Sequence, residues 1–182
     1  MIIGVTGTNG AGKGTVVDYL VQQKGFRHYS AREFITEEIR NRGLVVDRSS
    51  MRLVANDLRE KHRPSYIIET LCMRAIAGGG DAVIESVRAI KEAEFLKEHG
   101  ALLFSVDADR HVRYERTTQR GSHTDHVDFD TWVMQEEREW HNEAAHDMNV
   151  PGVMKMADVA LRNDGTPEEL HAQIDSALAR FK

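Results

Sequence analysis

Residues 7 to 15 read Gly-Thr-Asn-Gly-Ala-Gly-Lys-Gly-Thr, and they follow the short apolar run Ile2-Ile3-Gly4-Val5-Thr6. Glycines at 7, 10 and 12 let successive backbone N–H groups turn inward as a nest for an anion. A helix opening at Lys13 would aim its positive dipole end at the same point. This is the composition of a nucleotide-phosphate loop, in which Gly7, Asn9, Gly10, Ala11, Gly12, Gly14 and Thr15 form the cradle and Lys13 lies across the β and γ phosphates. The pattern G-x-x-x-x-G-K-[ST] is met with one displacement: Gly14 stands at the usual hydroxyl position and Thr15 follows it.

Phosphoryl transfer asks for alignment and charge neutralisation more than for covalent help, so carboxylates and arginines are the next residues to find. Glu85 closes the apolar run at 81 to 85. With Thr15 it offers hard oxygens for magnesium, held directly or through its waters. Arg88 follows just past the carboxyl end of that run, where ligands sit in open α/β sheets, and its planar fork suits a phosphate monoester. Arg116 and Arg120 are one helical turn apart, and Arg138 lies on the next helix. Closure of the polar segment 121 to 129 between them would bring three cations onto the transferred phosphate. The competing reading for arginines in runs such as Gln135-Glu136-Glu137-Arg138-Glu139 is a solvated surface pair.

These residues need a scaffold, and the pattern supplies one. Strand-like runs recur at 2–6, 27–30, 81–85, 101–106 and 157–161, separated by longer charged amphipathic segments. That alternation predicts an α/β fold, a three-layer sandwich around a five-stranded parallel sheet with right-handed crossovers. Residues 31–77 hold about three helical stretches and no convincing strand, a helical insert between strands two and three. Met51, Leu53, Val54 and Leu58 recur there at helical spacing and are expected in the core, whereas Asn56 and Arg59 read as surface. Ser30 either caps the helix that begins at 31 or touches a ligand. Trp132 and Trp140 share a face and serve as packing residues or as a wall against a base. His123, Asp125, His126 and Asp128 crowd one short loop, whose irregular spacing favours solvation over a metal site.

The chain has 182 residues, 29% charged and 41% hydrophobic, with three prolines and a net charge of -5. One globular domain is expected, and a broad basic surface for nucleic acid is not. Cys72 is the single cysteine, so no intramolecular disulfide forms. No apolar stretch reaches the roughly 18 residues of a membrane span, and strand one begins without a basic leader, so a cytoplasmic compartment and no membrane partner are expected.

The loop ending Gly-Lys-Gly-Thr resembles that of adenylate kinases, and the chain as a whole is similar to P-loop nucleoside monophosphate kinases and to dephospho-coenzyme-A-kinase-like proteins. His28-Tyr29-Ser30-Ala31-Arg32-Glu33 resembles their acceptor-site segment, and Val83 to Arg88 the strand whose arginine grips the acceptor phosphate. Asp107 through Arg116 and Arg120 resembles the helix entering the lid, and Asn163-Asp164-Gly165-Thr166 the loop beside the donor base. The resemblance implies an ATP-dependent kinase that uses Mg2+ with ATP, with Arg116, Asp164, Gly165 and Thr166 at the nucleotide. It implies acceptor contacts from Ser30, Arg32, Glu33 and Arg88 within the insert at 31–77, and a lid at 121–129. The family carries aspartate then glycine where Glu85 and Ser86 stand, and an arginine where Thr36 stands; Arg32, Arg40 or Arg52 would replace the latter. The acceptor so implied is a small phosphorylated molecule, a nucleoside or deoxynucleoside monophosphate, with dephospho-coenzyme A or a nucleotide-switched assembly role as alternatives.

Overall fold

The computed structural model describes residues 1–119, 127–140 and 148–181; the side chains of Arg48, Arg138 and Glu139 lie outside that description. Strands β1 (Ile2–Gly7), β2 (Arg27–Tyr29), β3 (Ala82–Ile84), β4 (Leu102–Asp107) and β5 (Val159–Arg162) form one sheet in the order β2-β3-β1-β4-β5. Every neighbouring pair is parallel. The inner strands β1, β3 and β4 are covered on both faces and read as apolar runs, whereas the edge strands are partly exposed, β2 as Arg27-His28-Tyr29 and β5 with alternate residues outward.

On one face Ile3, Val5, Phe104 and Val106 pack against Leu20 of α1 (Lys13–Lys24) and Leu170 and Ile174 of α9 (Pro167–Phe181). On the other, Ile84 and Leu103 meet Leu71 of α4 (Tyr66–Gly78), Leu96 of α5 (Ile90–Glu98) and Val153 of α8 (Val150–Lys155). Each fully buried side chain of this size contributes about 1.5–3 kcal/mol relative to exposure. Gly4 permits the tight fit of β1 on that face, since a Cβ there would sit 2.7 Å from Leu96 Cδ1.

Between β2 and β3 run α2 (Ala31–Asn41), α3 (Arg48–Lys61) and α4, the three helices expected there. Ile39, Val54, Leu58, Ile67 and Ile68 join them in the core of that face. The buried stripe of α3 follows Val54, Ala55 and Leu58, which turns Leu53 outward to 60% exposure, against expectation. α3 starts on a reciprocal cap in which Ser50 N–H donates to Asp47 Oδ1 (2.8 Å) and Asp47 N–H donates to Ser50 Oγ (2.9 Å).

Beyond β4, α6 (Arg110–Gln119) and α7 (Phe129–Trp140) flank residues 120–126, so the expected lid lies mostly outside the described residues. Its last part is the start of α7: Phe129 is already helical, and Asp128 caps the helix by accepting from Thr131 N–H at 2.9 Å. His123, Asp125 and His126 also lie outside, and no group of three or more metal-ligating side chains occurs among the described residues. Among those residues no helix is long and apolar enough to cross a membrane.

Candidate functional site

The turn from β1 into α1 is the predicted phosphate loop, with left-handed backbone at Gly10 (φ 77°) and Gly12 (φ 92°). Lys13 folds over it, its Nζ donating to the carbonyls of Gly7 (2.9 Å) and Thr8 (2.8 Å). Three struts from other elements fix the loop. Thr8 Oγ1 donates to Asp107 Oδ1 at the end of β4 (2.7 Å), Asn163 Nδ2 donates to Ala11 O (2.8 Å), and Arg113 of α6 donates to Asn9 O (3.2 Å). Gly12 is held so closely that a Cβ would stand 2.1 Å from Asn163 Nδ2. Gly14 faces open space and Thr15 is exposed beside it.

Arg113 was not singled out from sequence, and it is the buried centre of this region. It is 2% exposed, donates to Ala108 O (3.0 Å), pairs bidentately with Glu136 of α7 and lies over the Trp132 ring. Glu136 is 6% exposed, so the reading of its segment as a solvated surface fails at this residue. Trp132 is buried packing; Trp140 lies under the Arg110 guanidinium.

A cavity of about 380 Å³ opens beside the loop, lined by Gly12, Thr15, Arg116, Asn163 and Gly165 among others. Arg116 donates to Asn163 O (2.9 Å), which sets its guanidinium at the cavity rim. Asp164 and Thr166 are engaged locally and do not line it. Asp164 accepts from the Asp109 N–H (2.5 Å) and from Arg162, and the Asp109 amide foremost holds its carboxyl below the ordinary range. Thr166 and Glu169 cap the start of α9 reciprocally.

Past the end of β3, a second cavity of about 370 Å³ is lined by Arg32, Arg59, Arg88 and Glu92 with apolar walls from α2 and α4. Arg40 and Arg52 are exposed and do not line it, whereas Arg59, expected on the surface, does. Spacing alone carries no signal for Arg59, a charged residue on a charged helix. Glu33 is exposed at the start of α2. Ser30 caps α2, accepting from Glu33 N–H (3.3 Å), and its hydroxyl donates to Glu85 Oε1 (2.8 Å). His28 Nε2 lies 3.6 Å from the same oxygen. That ring, with Ser30 assisting against burial, holds the Glu85 carboxyl below its ordinary range, while Glu85 raises His28. The ionised carboxylate of Glu85 and the hydroxyl of Thr15 are each of the hard-oxygen type that magnesium takes. Arg120 and the Arg138 side chain lie outside the described residues.

A family model described as an AAA domain matches residues 3–149. The chain is 30% identical over its full length to a UPF0200 protein of Pyrobaculum aerophilum, covering 98% of it. Over 96% of its length it is 30% identical to one of Thermococcus kodakarensis, covering 94% of that protein. Among solved structures it is similar to a shikimate kinase from Acinetobacter baumannii determined with shikimate, at a TM-score of 0.63 and 16% identity, covering 100% of this chain and 94% of that one. That is a likeness of fold.

Proposed function

We propose, from the premise that the chain belongs to the UPF0200 proteins and carries an AAA domain folded as in the small P-loop kinases, that it moves the γ-phosphate of ATP to a nucleoside or deoxynucleoside monophosphate. One observation supports this proposal: there are two cavities of similar size, one at the phosphate loop rimmed by Gly12, Thr15 and Arg116, the other past the end of the neighbouring strand β3 and lined by three arginines. A donor and an anionic acceptor thus each have a cavity with cationic lining.

Lys13 and the loop amides hold the donor phosphates, with Arg116 and Gly165 at the base. Thr15 and Glu85 are the oxygens that would hold magnesium, which neutralises charge on the β and γ phosphates when bound. The helices over 31–77 bind the acceptor, and Arg88 anchors its phosphate. An oxygen of that phosphate bonds to the γ-phosphorus while the bond from that phosphorus to the bridging oxygen breaks, leaving with ADP. A phosphomonoester is already ionised, so no base is needed. Arg120 and Arg138, brought in by the segment 121–129, neutralise the moving group.

The test is ADP formation from magnesium ATP across ribo- and deoxyribonucleoside monophosphates, dephospho-coenzyme A and shikimate, with Lys13→Ala as the blank. A strong response to one monophosphate is expected. A response to dephospho-coenzyme A or shikimate alone replaces the acceptor, and uniformly feeble turnover replaces the kinase with a nucleotide-switched protein.

A further inference from the structure

A third cavity, of about 380 Å³, opens at the ends of β4 and β5 on the sheet face that carries α8. It shares no lining residue with the cavity at the phosphate loop or with the one past β3. The sheet makes room for it by being small and polar there. Thr6, Ser105 and Ala160 are register partners across β1, β4 and β5, and Asp107 and Arg162 form a further pair two residues on. Elsewhere on that face large side chains such as Ile84 and Leu103 fill the space under the helices.

The floor of this cavity is made of hydrogen-bonding groups. Thr8 and Ser105 are buried; Thr8 Oγ1 donates to Asp107 Oδ1 (2.7 Å), and Ser105 Oγ reaches only Val159 O, at 3.5 Å. Thr6, in the row with Ser105, is fully buried, and its Oγ1 has no partner among the described residues. Ala108 N–H donates to the same Asp107 oxygen as Thr8 (2.9 Å), which fixes the carboxylate. Its Oδ2 accepts no hydrogen bond among the described residues, with Arg162 Nη1 standing 3.5 Å away. Buried hydroxyls are costly unless something bonds to them. The walls are apolar, from Pro151 and Met154 of α8 and from Trp140 at the end of α7, whose ring carries the Arg110 guanidinium 5.5 Å from its centroid. Lys155, exposed and without a hydrogen bond or ion pair among the described residues, stands at the mouth with Arg162, which is paired to Asp164.

We propose that this cavity binds a neutral, planar nitrogen heterocycle carrying an amine, a ring of the nucleobase type, which stacks on Trp140 and donates an N–H to Asp107 Oδ2. The lining narrows the ligand to that class. An anionic group placed inside meets the Asp107 carboxylate, and a cationic one must pass Lys155 and Arg162. A wholly apolar ring leaves Asp107 Oδ2 and the Ser105 hydroxyl desolvated and unpaired. A neutral ring with an amine satisfies the aromatic wall and the polar floor together. A phosphate attached to such a ring points outward, to the two cations at the mouth. The size of the cavity falls within that of small-molecule sites, about 300–1,000 Å³. This site is separate from the donor and acceptor cavities and does not rest on the kinase proposal. It makes Trp140 a wall against a base, outside the cavities where phosphate is transferred.

The chain has two tryptophans, so Trp132→Phe leaves Trp140 as the sole indole reporter in the cavity itself. With the nucleotide loop saturated by magnesium and a non-hydrolysable ATP analogue, adenosine, 5′-AMP and purine riboside, which lacks the amine, are titrated while Trp140 fluorescence is followed. Adenosine should quench it saturably, and purine riboside should bind about 10- to 100-fold more weakly, for want of a hydrogen bond to a carboxylate. Tighter binding of 5′-AMP than of adenosine identifies a nucleotide as the occupant, and equal binding a nucleoside. Ala160→Leu, which fills the cavity from β5, should abolish the quenching, while Arg59→Gln in the cavity past β3 should leave the affinity within about twofold. Ser105→Ala, expected to weaken adenosine about 2- to 10-fold, serves if the leucine variant does not fold. If Trp132→Phe does not fold, the fluorescence change of the wild-type protein and its loss in Trp140→Phe give the same reading. The absence of a saturable change at Trp140 overturns the proposal, as do equal affinity for purine riboside and quenching that survives Ala160→Leu. Quenching lost in Arg59→Gln would put the adenosine in the cavity past β3 and overturns it too.

Discussion

Removing one charge from the Arg113–Glu136 pair should both destabilise the protein and loosen its nucleotide loop. The two side chains are 3% and 6% exposed, so solvent does little to screen what remains. Breaking a buried pair by removing one partner costs about 3–5 kcal/mol, because the surviving charge stays desolvated. For a domain of this size each kcal/mol moves the melting temperature by about 2–4 °C, so Glu136→Gln should melt roughly 6–20 °C below the wild type. The lower end is expected, since Arg113 keeps its bonds to Ala108 O and Asn9 O and has Asp107 Oδ1 3.6 Å away. The exposed Lys91–Glu94 pair, 71% and 41% exposed at 2.9 Å, is the comparator: Glu94→Gln should cost no more than about 1 kcal/mol. Because Arg113 also holds the Asn9 carbonyl, Glu136→Gln should weaken binding of a fluorescent ATP analogue. Calorimetric melts with and without nucleotide read both effects. A Glu136→Gln protein melting within about 2 °C of wild type, with unchanged nucleotide affinity, would refute the assignment of Arg113 as the loop's anchor.

Lys13→Ala should lower turnover by at least about 100-fold while leaving the far-UV circular dichroism unchanged; wild-type-like activity in the folded variant would remove Lys13 from the chemistry. Gly12→Ala combines a φ of 92° with a Cβ 2.1 Å from Asn163 Nδ2, so a loss of about 1–3 kcal/mol in urea unfolding and impaired nucleotide binding are expected. Thr6 Oγ1 is buried with no partner among the described residues, so Thr6→Val should raise stability by about 1 kcal/mol, and a destabilised variant would point to a partner for that hydroxyl. The His28–Glu85 pair gives stability a pH window. The His28 pKa is raised above its ordinary 6.5, so its contribution is fully present below pH 6.5 and is lost as pH rises through the folded value. Glu85 is lowered, so its contribution holds above the ordinary 4.5 and is lost as pH falls through the folded value. The stability difference between wild type and His28→Gln should therefore be greatest between those limits and shrink at alkaline pH; a flat difference would disprove the coupling.

The inner strands were legible because buried parallel strands advertise themselves as apolar runs, and the loop because glycine and lysine spacing is dictated locally. What stayed hidden depends on where a helix is rotated. Arg59 and Glu136 are charged residues on charged helices, and spacing alone assigns such residues to solvent. Only the packing of α3 against α2 and α4 turns Arg59 into a cavity, and only the docking of α7 on α6 buries Glu136. Leu53 fails for the converse reason, being apolar but one position off the buried stripe. Arg113 was overlooked because Arg116 and Arg120 matched a pattern of function, whereas its own work is to hold backbone carbonyls. Short α8, with Asn149 capping Gly152 N–H at 2.8 Å and Pro151 in its first turn, is too brief for periodicity to show.

The sheet order has a consequence for how the chain is made. β1 leaves the ribosome first, yet its neighbours in the sheet begin at Ala82 and Leu102. At about 5–20 residues per second, the strand that carries the phosphate loop waits roughly 5–20 s with both backbone edges unpaired. Pairings this distant in sequence slow folding and expose apolar strand edges to other chains. The vulnerable species in this protein's life is therefore the half-synthesised chain, whose central strand has emerged and whose partners have not.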